Sequence, residues 1–285
     1  MKVSSLFSGC GGLDLGFQQA GHEIVFAIDN DPDCVDSYRT NLSDAIIFRD
    51  VRHISFVPDC DIIIGGPPCQ QFSVASRRRK RRECEEGPSI LKFARIISIN
   101  QPRYFLMENV LGLLYQPHSE LLQAFLERMT GAGYAVTMRK LDATDFGVPQ
   151  HRKRLLFYGS LDKIPPPPKQ THSYGLFGES YLTVNDALGW TETKILSQNR
   201  STWKMQEAGK GYFYSSDCPA RVITTRGHSI CKPPPARLMT VQESAKLQSF
   251  PDWFEFKGSI ISQRRQIGNA VPPLMAYRIA ESFKR

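Results

Sequence analysis

The stretch that most constrains this chain is Gly65-Gly66-Pro67-Pro68-Cys69-Gln70-Gln71-Phe72-Ser73, which follows directly on Asp61-Ile62-Ile63-Ile64. The isoleucine run reads as a fully buried strand. Open α/β sheets place their ligands beyond the C-terminal ends of such strands, where Cys69 stands. Two glycines and two prolines before it hold a backbone path that few other residues can follow. Cys69 is therefore either a structural thiol in a rigid turn or a nucleophile aimed by that turn into a polar cleft.

Four further apolar runs, residues 3–7, 23–28, 45–48 and 103–107, read as strands separated by helical segments. The first leads into Ser8-Gly9-Cys10-Gly11-Gly12, a glycine loop that opens a helix and is either a tight turn or a cofactor loop. It is not the dinucleotide fingerprint, because Asp14 occupies the third glycine position. Asp29 and Asp50 end the second and third strands, and Glu108 ends the run at 103–107. Each carboxylate alone reads equally as a helix cap or a solvated charge. Asp29 and Asp50 together, at the ends of adjacent strands, favour a nucleoside-type ligand. Residues 135–141 and 154–159 read as two more strands whose short connection forces an antiparallel pair. That connection holds Gln150-His151-Arg152-Lys153-Arg154, a basic cluster with the ordinary alternative of a solvated face.

Prolines 165–168 open a change of texture that lasts to prolines 233–235, rich in Gly, Ser, Thr and aromatics. A capping box, Thr240 with Glu243, starts a helix, and Met275, Ile279 and Phe283 space a last one. The expected fold is α/β: a doubly wound, mostly parallel seven-stranded sheet, with residues 1–160 and 263–285 in one domain and 161–262 in a smaller second. The seven cysteines include no CxxC pair, which speaks against a disulfide framework or a metal site. No membrane span or leader is expected. Net charge is +8, of which the run Arg77-Arg78-Arg79-Lys80-Arg81-Arg82 carries six, so the basic character is local.

Taken together, Gly-Pro-Pro-Cys-Gln-x-Phe-Ser at 66–73, Glu108-Asn109-Val110, Gln150-x-Arg152-x-Arg154 and the glycine loop resemble the motifs of the cytosine-C5 DNA methyltransferases, in family order over nearly the whole chain. The resemblance implies that Cys69 is the nucleophile, that Glu108 holds and protonates cytosine N3, and that Arg152 and Arg154 stabilise the O2 side of the flipped base. It implies an S-adenosyl-L-methionine site, with S-adenosyl-L-homocysteine as product. Phe7, Gly9, Cys10, Gly11, Gly12, Asp29, Asn30, Asp50, Val51, Pro68 and Asn269 would form it. Double-stranded DNA would be met by Gln70, Ser73, Arg78, Lys80 and Gln150. A cytoplasmic monomer paired with a cognate restriction endonuclease fits the same resemblance. The basic run and a short specificity region depart from the family's usual pattern. An RNA methyltransferase of the related branch would carry Cys-Phe-Thr, which is absent. A non-catalytic relative would have lost Cys69 or Glu108, and a dinucleotide oxidoreductase explains neither the Pro-Pro-Cys turn nor the Gln-x-Arg-x-Arg segment.

Overall fold

A computed structural model describes residues 1–68, 88–115, 119–173, 178–190, 194–196, 213–225, 229–230 and 237–284. Seven strands form the main sheet: β1 (Lys2–Leu6), β2 (Glu23–Asp29), β3 (Ile46–Phe48), β4 (Ile62–Gly65), β5 (Tyr104–Asn109), β6 (Ala135–Asp142) and β7 (Lys153–Ser160). Their order is β3-β2-β1-β4-β5-β7-β6. The pairs β1–β2, β2–β3, β1–β4 and β4–β5 are parallel, whereas β7 is antiparallel to both β5 and β6. The expected antiparallel pair is thus present, and β7 returns between β5 and β6 rather than adding at the edge.

Helices α1 (Gly12–Gln19), α2 (Pro32–Asn41), α3 (Ser89–Asn100) and α4 (Ser119–Gly131) connect the strands and cover the sheet. The sequence starts them at recognisable points. Asp31 accepts from the backbone N–H of Asp33 at 3.1 Å and Cys34 at 3.4 Å, with Pro32 at the first helical position, a cap of about 1 kcal/mol. The strand that the apolar run ends at Met107 continues to Asn109, because Glu108 pairs with Leu156 and Asn109 with Leu155 of β7.

Two apolar clusters fill the space on either side of the sheet, one through Ile62, Leu106 and Ile279, the other through Ile63, Phe105 and Phe125. The run Ile62-Ile63-Ile64 alternates between them, which is why it is apolar on both faces. A second sheet of short strands, β8 (Lys194–Leu196), β9 (Phe213–Ser215), β10 (Ser229–Ile230) and β11 (Arg237–Leu238), runs in the order β11-β10-β8-β9. Helix α5 (Val184–Leu188) precedes these strands, and α6 (Val241–Leu247), α7 (Ile260–Asn269) and α8 (Pro273–Glu281) follow. A third cluster joins Cys10 and Leu15 of the first segment to Ile223, Leu247, Phe250 and Ile267. The later part of the chain therefore packs directly on the start of α1. Phe250 packs against Phe254 and Phe256 at ring distances of 4.7 and 5.1 Å.

The returning helix α8 lies against α1 at backbone range. A Cβ added at Gly16 would stand 2.4 Å from Ala276 Cβ and 2.5 Å from the Tyr277 backbone nitrogen. Gly16→Ala should therefore lower stability by about 1–3 kcal/mol through overpacking, despite the gain in helix propensity. Gly131→Ala meets nothing within 4 Å and should raise it by about 0.4–1 kcal/mol. Urea midpoints of the two variants check the contrast, and equal shifts of one sign would refute it.

Candidate active site

One row of residues crosses the parallel strands in register: Ile47, Ile28, Leu6, Gly65 and Met107. The residues one step beyond it form the C-terminal edge, and they include Phe7, Asp29, Gly66 and Glu108. Asp29 and Glu108 are separated by three strand spacings, roughly 14 Å. That edge carries a nucleoside-type half on β1–β3 and an acid half on β4–β5.

At the acid half, Glu108 and Arg154 form an ion pair, Oε1 to Nε 2.7 Å, with side chains 11% and 10% exposed. Oε2 of Glu108 points toward the turn after β4, since a Cβ on Gly66 would lie 3.1 Å from it. Asn109 fastens the same turn, donating from Nδ2 to the Pro67 carbonyl at 3.0 Å while its Oδ1 accepts from the Val110 N–H. Sequence reasoning assigns no role to Asn109 or Gly66; the Glu-Asn-Val pattern is the signal that could have found the first. Cys69 follows this turn in sequence but, with Gln70, Ser73, Arg78 and Lys80, lies outside the described residues. A cleft of about 500 Å³ opens beside the pair, lined by Val110, Leu111, Gly112, His151, Lys153, Arg154, Arg221 and Val222. His151 Nδ1 is 3.2 Å from Asp142 Oδ2.

The Gln-x-Arg-x-Arg segment divides differently from expectation. Gln150, expected at the DNA, is fully buried. Its Oε1 accepts from the Ile223 N–H at 2.8 Å, and its Nε2 donates to Gln248 Oε1 at 2.8 Å and to the Leu247 carbonyl. Arg152, expected beside the base, is also fully buried and donates to the carbonyls of Gly268 at 2.8 Å and Ile223 at 3.4 Å. Burial, with Arg154 adding to it, pushes its guanidinium down to about 9, partly offset by Glu108. Gln150 through both amide atoms and Arg152 through its two terminal nitrogens bond backbone and core partners, so they tie the approach to β7 to residues 220–225 and to α6–α7. Only Arg154 of the three reaches Glu108.

At the other half, the backbone turns sharply after β1. Phe7 has φ 56°, Gly9 56° and Gly11 92°, so a non-glycine residue sits in the left-handed region at a strand tip, where strain of about 1–3 kcal/mol is typically held by function. Asp29 Oδ2 accepts the Gly9 N–H at 2.8 Å, and Oδ1 accepts the Asp31 N–H at 2.9 Å. Burial pushes its carboxyl up. Gly9 has open space where a side chain would stand, which leaves a cradle beside the Asp29 carboxylate. Gly11 and Gly12 are packed instead: a Cβ on Gly12 would meet the Val271 carbonyl at 2.5 Å. Cys10 faces the core, its thiol pushed up to about 12 by burial, so it can meet a cofactor only through its backbone.

Asp50 caps a short turn starting at Val51, accepting the Arg52 N–H at 2.9 Å and pairing with its guanidinium at 2.6 Å. Asn30 donates to the same carboxylate at 3.2 Å, linking the tips of β2 and β3. Burial raises Asp50, but the bonds from Arg52 outweigh it and hold the carboxyl below its ordinary range. Val51 is buried, whereas Pro68 and Asn269 are exposed. The strain at Phe7, the cradle at Gly9 and the adjacent Asp29 fit an adenosyl cofactor. Among the described residues no cluster of His, Cys, Asp and Glu could hold a metal ion.

A family model described as C-5 cytosine-specific DNA methylase matches residues 1–204 and 168–285. The Type II methyltransferase M.NgoFVII of Neisseria gonorrhoeae is 35% identical over 99% of this chain and 86% of its own. M1.HphI of Haemophilus parahaemolyticus is 33% identical over 97% and 85%. A Spodoptera frugiperda DNMT2 mutant superimposes with a TM-score of 0.77 at 18% identity, over 100% of this chain and 99% of that one, and supports the fold. With matches along its whole length, the chain belongs to the C-5 cytosine-specific DNA methylases, which take their methyl group from S-adenosylmethionine.

Proposed function

We propose that the chain methylates C5 of a cytosine flipped out of double-stranded DNA, by covalent catalysis at Cys69. The observation that carries this reading is Glu108, with one carboxylate oxygen on Arg154 and the other toward the Gly66–Pro67 turn that leads to Cys69. S-adenosylmethionine, when bound, supplies an electrophilic methyl group. The Cys69 thiolate adds to C6, and the C5=C6 pair moves onto C5. Glu108 in its protonated form gives its proton to N3, which draws that charge into the ring, and Arg154, its partner, would stabilise the O2 side. Once C5 carries the methyl group, N3 gives its proton back to Glu108, the C5 proton passes to solvent base, the C5=C6 bond reforms and Cys69 leaves as thiolate. The Gly9 cradle and Asp29 hold the adenosyl part, Asp29 on the ribose, with Asp50 and Val51 toward the adenine and Pro68 and Asn269 at the rim.

Residues 161–262 serve as the target-recognition unit, anchored to the catalytic domain of 1–160 and 263–285 by Gln150 and Arg152. Gln70, Ser73, Arg78 and Lys80 contact the DNA. A monomer acting in the cytoplasm, with a cognate endonuclease, fits relatives named Type II methyltransferases.

Incubation of the protein with S-adenosylmethionine and duplex DNA, followed by nucleoside mass spectrometry, should yield 5-methyldeoxycytidine. Product on transfer RNA and none on DNA would move the chain to the RNA-modifying reading. Glu108→Gln keeps the contact with Arg154 but has no proton to give N3, so turnover should fall by about two to four decades while DNA binding stays within a few-fold. Equal loss of both would make Glu108 structural. If the cleft beside Arg154 meets phosphates, replacing Lys153 and Arg221 with Gln should reduce the slope of log affinity against log salt by about 0.9 for each phosphate no longer neutralised. An unchanged slope would place the DNA backbone elsewhere.

A further inference from the structure

The mechanism leaves Asp14 without a role, although it is fully buried beneath the cofactor loop. Its Oδ1 accepts the hydroxyl of Ser5 in β1 at 2.7 Å, and its Oδ2 accepts the hydroxyl of Tyr38 in α2 at 2.8 Å. Both donors are neutral, and no cation of the described residues is within ion-pair range. An unpaired buried carboxylate is expensive, and a purely structural tie could be made by apolar contact at lower cost. The loop rests on this network: a Cβ on Gly11 would stand 2.9 Å from the ring of Tyr38.

Of the titratable groups around Asp14, Asp29 is the other carboxylate, while burial keeps the Cys10 thiol and the Tyr38 phenol neutral. Asp29 at the tip of β2 raises Asp14, and Cys10 in the loop is itself raised by burial first and then by Asp29 and Asp14. Tyr38 is pushed up by burial and by Asp14. Asp31, next along, is paired with Arg265 at 2.7 Å, away from Asp14. The loop thus adjoins two carboxylates, Asp14 and Asp29, neither of which has a cation in ion-pair range among the described residues. The methyl donor carries a sulfonium cation there, and the product carries a neutral thioether.

We propose that Asp14 is a positioning residue that couples the cofactor loop to the charge of its ligand, so that the sulfonium donor favours the ionised carboxylate and the thioether product does not. This rests on assigning the loop at residues 8–12 to the cofactor. Burial, against the hydrogen bonds from Ser5 and Tyr38, pushes Asp14 up to about 6, so its charge changes within an accessible range. A nearby cation draws the carboxyl back down, and the complex then holds fewer protons than the free protein. Donor affinity consequently rises with pH through about 6 and levels above it, whereas product affinity stays flatter.

Isothermal titration calorimetry near pH 5.5, in two buffers of different ionisation enthalpy, reads this directly. S-adenosylmethionine should release roughly half a proton more than S-adenosylhomocysteine if the shift is one unit, with about a fivefold change in their affinity ratio between pH 5 and pH 7. Asp14→Asn keeps the shape, with one of the two hydroxyls turned to accept from the amide NH2, and should abolish the difference while both ligands still bind. Tyr38→Phe removes one donor to the carboxylate and should move the window to higher pH. Equal proton release for the two ligands in the wild type would overturn the role of Asp14, as would a difference that survives Asp14→Asn. Failure of both ligands to bind the wild type would overturn the cofactor assignment with it.

Discussion

The site depends on the ion pair between Glu108 and Arg154, and that pair depends on the direction of one strand. An antiparallel strand begins beside the end of its neighbour. Arg154, second residue of β7, therefore meets Glu108 near the end of β5, two residues before Leu156, which faces Glu108 in register. Were β7 parallel, its first residues would lie at the opposite edge, roughly 15–20 Å away. Both partners are nearly buried, so removing either leaves a charge without compensation, a loss of about 3–5 kcal/mol. The pair also uses one oxygen of Glu108 and leaves the other facing the Gly66 turn.

The remaining architecture keeps that edge in place. The register row from Ile47 to Met107 sets Asp29 and Glu108 at one level, cofactor half and acid half of the same edge. Gly16 lets α8 close against α1, bringing the end of the chain back beneath the loop. Gln150 and Arg152 then bind the later segments to the start of β7 through Ile223, Gln248 and Gly268. The segments around Ile223 and Gln248 are thus joined to the main sheet within four residues of Arg154.

Much of this was legible in the chain. Carboxylates at Asp29, Asp50 and Glu108 follow apolar runs, and strand tips are where open sheets bind ligands. The short connection before residue 153 required an antiparallel return. The insertion of β7 between β5 and β6 was not legible, because several arrangements satisfy the same local pattern. Gln150 and Arg152 share the alternation of Arg154, and a polar side chain of that spacing reads as presented to a site. What turns them inward is residues 220–225, about seventy positions later, whose backbone groups supply their partners. Asp14 appeared only as a failure of the dinucleotide pattern; its burial comes from Ser5 and Tyr38 converging from two other elements.

The central claim is covalent attack from the turn held against Glu108, and a trapped adduct tests it most directly. In duplex DNA with 5-fluorocytosine at the target, fluorine replaces the proton that must leave, so the enzyme stays bonded to C6 after methyl transfer. Digestion and mass mapping of the denaturation-resistant complex should place the nucleotide on the peptide containing Cys69, only when S-adenosylmethionine is present. A nucleotide on Cys10, Cys84 or any other residue, or methylation without an adduct, would contradict the account.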